Sequence, residues 1–190
     1  MNRSLCALAA LLVFAPAVPA QTALELGTAI PLADEPFTTN GSATLSLGAA
    51  AGAQGLAVVL WSDSCPWVSK YAARLDALVD QYGRAGVGFV FVQSETPSDE
   101  ADGTVTPSGP VVLDAEGRLA AALGAQSVPQ AFFFGPDGAL AYQGAIDDSP
   151  ASVDRVRVPY LQQAMDQSLA GVPIEVQSTR ALGCTVKAGR

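Results

Sequence analysis

Two unbroken apolar runs dominate the hydrophobic pattern of the chain. Residues 56–61 read LAVVLW and residues 87–92 read VGFVFV. Each has the length of a strand, and neither alternates with polar residues, as expected of strands covered on both faces of a sheet. Between the two runs the period changes. Trp67, Val68, Tyr71, Leu75, Leu78, Val79 and Tyr82 recur at helical spacing, which predicts a helix over 66–82 with one apolar face. Pro66 suits its first position, where an N–H would have no partner, and Gly83 offers a stop. Strand, helix and strand of these lengths predict a parallel βαβ unit with a right-handed crossover.

Weaker signals flank this unit. Residues 21–36 have no period and predict an irregular leader. TTNGSATLSL over 38–47 sets Asn40-Gly41 between short strand-like arms, a hairpin signal. GAAAGAQ over 48–54 predicts a connector or short helix. ETPSDEADGTVTPSG over 95–109 predicts an exposed loop. A short strand follows at 111–113, then a short helix at 118–123 closed by Gly124. Residues 130–134 (QAFFF) and 139–142, joined by Pro136-Asp137-Gly138, predict an antiparallel hairpin. A last helix over 159–170 places Leu161, Ala164, Met165 and Leu169 on one face, and Gly171 ends it. The remaining residues, 172–190, predict an irregular tail carrying Cys184.

The first twenty residues belong to another pattern. A short basic start, MNR, precedes an apolar run of eleven residues over 5–15, too short to cross a bilayer. Pro16 and Pro19 break the run, and Val18-Pro19-Ala20 offers small residues for cleavage before Gln21. This predicts a signal peptide over 1–20, a domain over 21–171 and the tail over 172–190. The expected destination is periplasmic or extracellular, with no integral membrane segment once the leader is removed. Cys6 leaves with the leader, so Cys65 and Cys184 remain, an even number suited to an oxidising compartment. Arg3 leaves too, so ten basic residues become nine against eighteen acidic ones, a net charge of about −9. That charge argues against nucleic acid or an anionic membrane surface as partner.

The 190-residue chain contains no histidine. A Ser-His-Asp triad, a Cys-His pair and histidine-ligated zinc or copper are excluded. With two cysteines left, a thiolate-caged metal is not expected either, and no cofactor is implied. Chemistry must rest on Cys65, carboxylates, hydroxyls or backbone. Cys65 precedes Pro66 at the start of the predicted helix, where unpaired N–H groups and the helix dipole favour a thiolate over the ordinary thiol pKa of about 8.5. Asp63 opposes this, and Lys70 is a full turn away. The plainer alternative is an inert buried cysteine at a strand end. Asp147-Asp148 are adjacent in a loop, so their side chains diverge, and a turn or helix-entry role is expected for them rather than acid–base work.

Four segments in order carry a resemblance: SDSCPWVSKY from Ser62, VPQAFFFGPDG from Val128, GAIDDS from Gly144 and GCTVK from Gly183. LAGVPIEV, from Leu169, matches the approach to the last of them. Together they resemble thioredoxin-fold redoxins of the alkyl hydroperoxide reductase and thiol-specific antioxidant class, in particular a peroxiredoxin-like subgroup with a Gly-Cys-(Ser/Thr)-(Ile/Val)-Lys tail. The resemblance implies an α/β fold with a central mixed β-sheet flanked by helices, an N-terminal hairpin extension and an irregular C-terminal tail. Three positions depart from the pattern. Ser62 stands where the first motif cysteine is usual, Ser127 stands where another cysteine is frequent, and the 95–109 loop is short.

The resemblance also assigns roles. Cys65 would attack a peroxide or a protein thiol or disulfide partner, with an external thiol reductant closing the cycle. Ser62 cannot release a mixed disulfide as a second thiol would. It either hydrogen-bonds the thiolate, as a peroxidatic Ser/Thr does, or is the relic of a lost cysteine. Cys184 would resolve oxidised Cys65. Thirteen residue steps from Gly171 give the tail a reach of about 40 Å. The same two cysteines could instead form a static structural disulfide, or remain two free thiols. Val128-Pro129 is expected to be cis and, with Trp67, to line the substrate site; Trp61 and Trp67 flank Cys65, and core packing is the alternative for both. Two other functions remain: a non-catalytic thioredoxin-like binding or scaffold module with a decayed redox motif, and monothiol exchange with a partner protein.

Overall fold

The structure is a computed structural model that describes residues 22–94 and 106–186. The predicted signal peptide, most of the 95–109 loop and the last four residues lie outside the described residues. Strands β1 (Phe37–Thr38) and β2 (Thr44–Leu45) pair antiparallel as the Asn-Gly signal predicts. Helix α1 (Leu47–Ala50) follows, capped by the Ser46 hydroxyl, which accepts from the Ala49 N–H. Then come β3 (Leu56–Trp61), α2 (Pro66–Arg84), β4 (Gly88–Gln93) and β5 (Val111–Leu113). After these lie α3 (Arg118–Ala122), β6 (Ser127–Val128), β7 (Ala131–Phe134) and β8 (Leu140–Gly144). A 3-10 turn at Val153–Arg155, helix α4 (Tyr160–Leu169) and strand β9 (Cys184–Thr185) are the last elements among the described residues.

Five strands form one mixed sheet in the order β5-β4-β3-β7-β8. β3, β4 and β5 run parallel, and β7 and β8 are antiparallel to their neighbours. Every residue of β3 is buried, which explains its unbroken apolar run. Val68, Tyr71, Leu75, Leu78 and Tyr82 bury one face of α2. The Tyr82 hydroxyl donates to Asp166 Oδ1 of α4 at 2.5 Å, so α2 and α4 lie side by side. Leu161, Ala164 and Met165 bury the inner face of α4, whereas Leu169, in its last turn, is exposed against expectation.

The end of α2 differs from the sequence expectation. The helix runs through Gly83 and stops at Ala85, with Gly86 in the left-handed region at φ +93°. Gly86 N–H donates to Gly83 O and Val87 N–H to Tyr82 O, the paired bonds of a glycine-terminated helix. The later glycine wins because Val87, 3% exposed, must turn into the core to begin the next strand.

The outer edge of β8 is covered by residues 24–27 and by the tail around 177–179. Gly27 N–H donates to Leu140 O and Gln143 Nε2 to Leu24 O, binding the first described segment to the sheet. Gln143 N–H donates to Gln177 O and Thr179 N–H to Gln143 O, binding the tail. An open sheet edge is a template for unwanted pairing, and these two segments cover this one. The tail is therefore more ordered than the sequence predicts. Among the described residues no helix is long and apolar enough to cross a membrane.

Candidate functional site

The site is assembled where β3 ends and α2 begins. The buried strand delivers Trp61 and Ser62 to its C-terminal end, and Pro66 starts the helix. Cys65 between them is the N-cap residue, with extended backbone and no side-chain capping bond. Cys65 N–H donates to Ser62 O at 3.3 Å and Val68 N–H to Cys65 O at 3.0 Å, closing a tight turn around the sulfur. Ser62 is 2% exposed, and its hydroxyl lies 3.0 Å from that of Ser64. Asp63 Oδ1 accepts from Trp61 Nε1–H and Oδ2 from Gln93 Nε2, so its negative charge is held back toward the sheet. Trp67 is half-buried, with the Lys70 ammonium 4.6 Å from its ring centre.

The second component is the loop before β7. The Val128-Pro129 peptide bond is cis, as expected. Gln130 Oε1 accepts from the N–H groups of both Gln126 and Ser127, and Gln130 O accepts from Leu60 N–H of β3. These bonds fix the loop against the strand that carries the site. Val128 O lies 3.3 Å from Cys65 Sγ, a contact that a reduced thiol could make as a hydrogen bond.

The third component is the tail. Cys184 forms a disulfide with Cys65, with Cα atoms 6.1 Å apart and a sequence separation of 119. Residues 184–185 pair antiparallel with β6, setting Cys184 opposite Val128 and Thr185 opposite Ser127. Val186 N–H adds a bond to Gln126 O. The approach is so close that a Cβ on Gly183 would stand 2.1 Å from Val128 O and 2.6 Å from its carbonyl carbon. Upstream, the tail is seated by Thr179. Its Oγ1 lies 2.7 Å from the Tyr142 hydroxyl and accepts from Ala145 N–H, and a Cβ on Gly144 would meet it at 2.2 Å. Backbone contacts this close require glycine at both positions.

A cavity of about 300 Å³ lies beside this junction, lined by Tyr71, Pro129, Ile146, Asp147, Arg180 and Leu182. Asp147 is 4% exposed. It accepts from Arg74 at 2.5 Å, from the Tyr71 hydroxyl at 3.0 Å and from Ser149 N–H at 2.9 Å. The guanidinium of Arg74 also stacks 4.0 Å from the Tyr71 ring centre. Burial first, and then the Asp147 carboxylate, push the Tyr71 phenol well above its ordinary range, with Arg74 opposing. Asp148 is exposed, and its carboxyl is held low by the N–H groups of Arg157 and Val158. The Asp-Asp pair thus diverges as expected, but Asp147 does more than shape a turn: it ties α2 to the segment after β8.

The structure therefore brings Cys65, Cys184, Val128 and Pro129 to one point, with Ser62 one turn behind the sulfur and Trp67 on the neighbouring helix surface. Sequence reasoning missed Gly183, Gly144, Thr179 and the Arg74–Tyr71–Asp147 cluster. A glycine next to the tail cysteine was the available signal for the first. The others are set by contacts between distant segments and leave no local trace.

No family model matches the sequence, and no curated protein matches it. Solved structures do match. A hypothetical protein from Sinorhizobium meliloti 1021 superimposes with a TM-score of 0.74 at 23% identity, over 87% of this chain and 96% of that one. A putative thiol:disulfide interchange protein DsbE from Chlorobium tepidum gives 0.56 at 17%, over 64% and 85%. Peroxiredoxin Q from Xanthomonas campestris gives 0.54 at 20%, over 78% and 94%. With the mixed sheet and its helices, these likenesses define the class of the molecule: it has the thioredoxin-like fold.

Proposed function

We propose that this chain is an exported thiol oxidoreductase of the redoxin type, in which Cys65 attacks and Cys184 resolves. The observation that carries the reading is the joining of Cys65, at the N-terminus of a long helix, to a cysteine of the tail beside cis-Pro129. In the reduced protein the helix N-terminus favours a Cys65 thiolate. That thiolate attacks a peroxide oxygen, giving Cys65 sulfenic acid and the alcohol or water as leaving group. The Cys184 thiol then attacks the Cys65 sulfur, water leaves, and the Cys65–Cys184 disulfide forms. A protein disulfide as substrate passes instead through a mixed disulfide that Cys184 resolves. An external dithiol returns both cysteines to the thiol state. The apolar leader and the even count of remaining cysteines support an oxidising compartment, periplasmic or extracellular.

The rival is a binding module whose disulfide is structural. It is favoured by the β6–β9 pairing, which holds Cys184 by backbone bonds as well as by sulfur. The two separate by mass spectrometry of the full chain with Cys6→Ser, reduced and then given one equivalent of hydrogen peroxide. The oxidoreductase forms the Cys65–Cys184 disulfide much faster than a free thiol pair oxidises, and accumulates sulfenic acid on Cys65 when Cys184→Ser is added. Oxidation at the rate of an ordinary thiol, with peroxide and with a disulfide-bonded protein alike, refutes it.

A further inference from the structure

Two cavities meet the tail, and both are lined by Thr179, Arg180 and Leu182. The one beside Pro129 carries Asp147 and Asp148. The second, of about 470 Å³, has no acidic side chain among its described lining residues, although the chain has eighteen acidic residues against ten basic ones. Residues 178–183 and Thr185 of the tail form one wall, and the 124–130 segment with Gln143 of β8 forms the other. Its volume is that of an ordinary small-molecule site, about 300–1,000 Å³, but amides and hydroxyls dominate its lining. Three side chains set its chemistry. Gln130 is 9% exposed, and its Oε1 is held by the N–H groups of Gln126 and Ser127. Its two Nε2 hydrogens remain, and they have no acceptor among the described residues. Gln143 is the converse: it is 8% exposed, its Nε2 donates to Leu24 O, and its Oε1 has no donor among the described residues. Arg180 is the one cation among the described lining residues; it is exposed and makes no ion pair with any of the described residues. Nearly buried amides with half of their hydrogen-bonding capacity unused call for a polar partner.

We propose that this second cavity is a binding site for a hydroxylated carboxylate of sugar-acid size. The ligand carboxylate pairs with the Arg180 guanidinium, Gln130 Nε2 donates to a second ligand oxygen, and a ligand hydroxyl donates to Gln143 Oε1. The hydroxyls of Ser178 and Thr185, which also line the cavity, match further ligand hydroxyls. Other ligand classes fit less well. An amine would find no carboxylate in this lining. A phosphate dianion would find a single cation, and the N–H groups of Gln126 and Ser127 that could have cradled it are taken by Gln130. An apolar ligand would bury the free halves of Gln130 and Gln143 without partners. The site is separate from the sulfur chemistry and stands whether the Cys65–Cys184 disulfide is catalytic or structural.

The test is isothermal titration calorimetry of the oxidised full chain with Cys6→Ser, at neutral pH and low salt. The probes are D-glucuronate, D-glucose as its uncharged counterpart, acetate as a carboxylate without hydroxyls, and inorganic phosphate. Glucuronate is expected to bind saturably at one site, and the other three to bind about tenfold or more weakly than it. Arg180→Gln, at an exposed position, should weaken glucuronate about tenfold or more. Gln130→Glu keeps an acceptor for the two loop N–H groups, removes the Nε2 donor and adds a negative charge, so it should weaken glucuronate at least as much. Arg155→Gln removes the same charge from an exposed site outside the cavity and should change the affinity less than about twofold. The proposal is overturned by no saturable heat with glucuronate up to about 10 mM, by acetate, glucose or phosphate binding as tightly as glucuronate, or by Arg180→Gln behaving like Arg155→Gln.

Discussion

Replacing Asp147 with alanine is expected to lower folding stability by about 3–5 kcal/mol. The carboxylate is 4% exposed and its Arg74 partner 13%, so removing one charge leaves the other buried without its counter-ion. Tyr71 and Ser149 N–H lose their acceptor as well. Asp147→Asn retains the Oδ1 acceptor for those two donors but replaces Oδ2, which accepts from Arg74, by an amide N–H2, so both the charge and the hydrogen bond to Arg74 are lost. Its effect should be about 1.5–3 kcal/mol, the value of a charge-assisted hydrogen bond. The contrast is Asp80, whose i,i+4 pair with Arg84 has both partners about two-thirds exposed or more. There alanine should cost under about 0.5 kcal/mol, because water screens the pair. Urea unfolding of the oxidised protein at neutral pH measures all three. With a denaturant slope of about 2 kcal/mol/M, the alanine variant at Asp147 should shift its midpoint down by roughly 2 M. A shift no larger than that of Asp80→Ala would refute the reasoning, since burial would then add nothing to this pair.

Two further outcomes are expected. Cys184→Ser in the Cys6→Ser background should lose about 5 kcal/mol relative to the oxidised protein, from the chain entropy of a loop whose ends are 119 apart in sequence; a loss below about 1 kcal/mol by urea titration would contradict it. Stability should fall as pH rises above about 10, because Tyr71, Tyr82 and Tyr142 have their phenols raised above the ordinary value mainly by burial. The unfolded chain then releases protons that the folded chain keeps, so each phenol steepens the decline by up to about 1.4 kcal/mol per pH unit. Urea midpoints that stay level between about pH 9 and 11 would argue against it.

Much of the fold was legible because its signals are local. The two apolar runs became the central parallel pair β3 and β4, since a strand covered on both faces has no polar position to show. The 3.6-residue period set α2, and only its end was misplaced. Gly83 and Gly86 are both credible stops in sequence, and the choice fell to Val87, whose burial is a tertiary fact. The antiparallel hairpin of β7 and β8 followed from its Pro-Asp-Gly turn.

The candidate site divides in the same way. Sequence alone determined that Cys65 stands between a buried strand and a proline-initiated helix, that histidine chemistry is closed to this chain, and that a second cysteine lies in a long tail. Those are properties of neighbouring residues and of composition. Only the tertiary structure decided where the tail goes. It lies along β8, seats Thr179 on Gly144 and passes Val128 so closely that Gly183 has no room for a side chain. It likewise decided that Asp147, rather than Asp148, is buried against Arg74. Contacts between segments so far apart in sequence depend on the packed fold, and a local pattern of hydrophobic and polar residues carries no record of them.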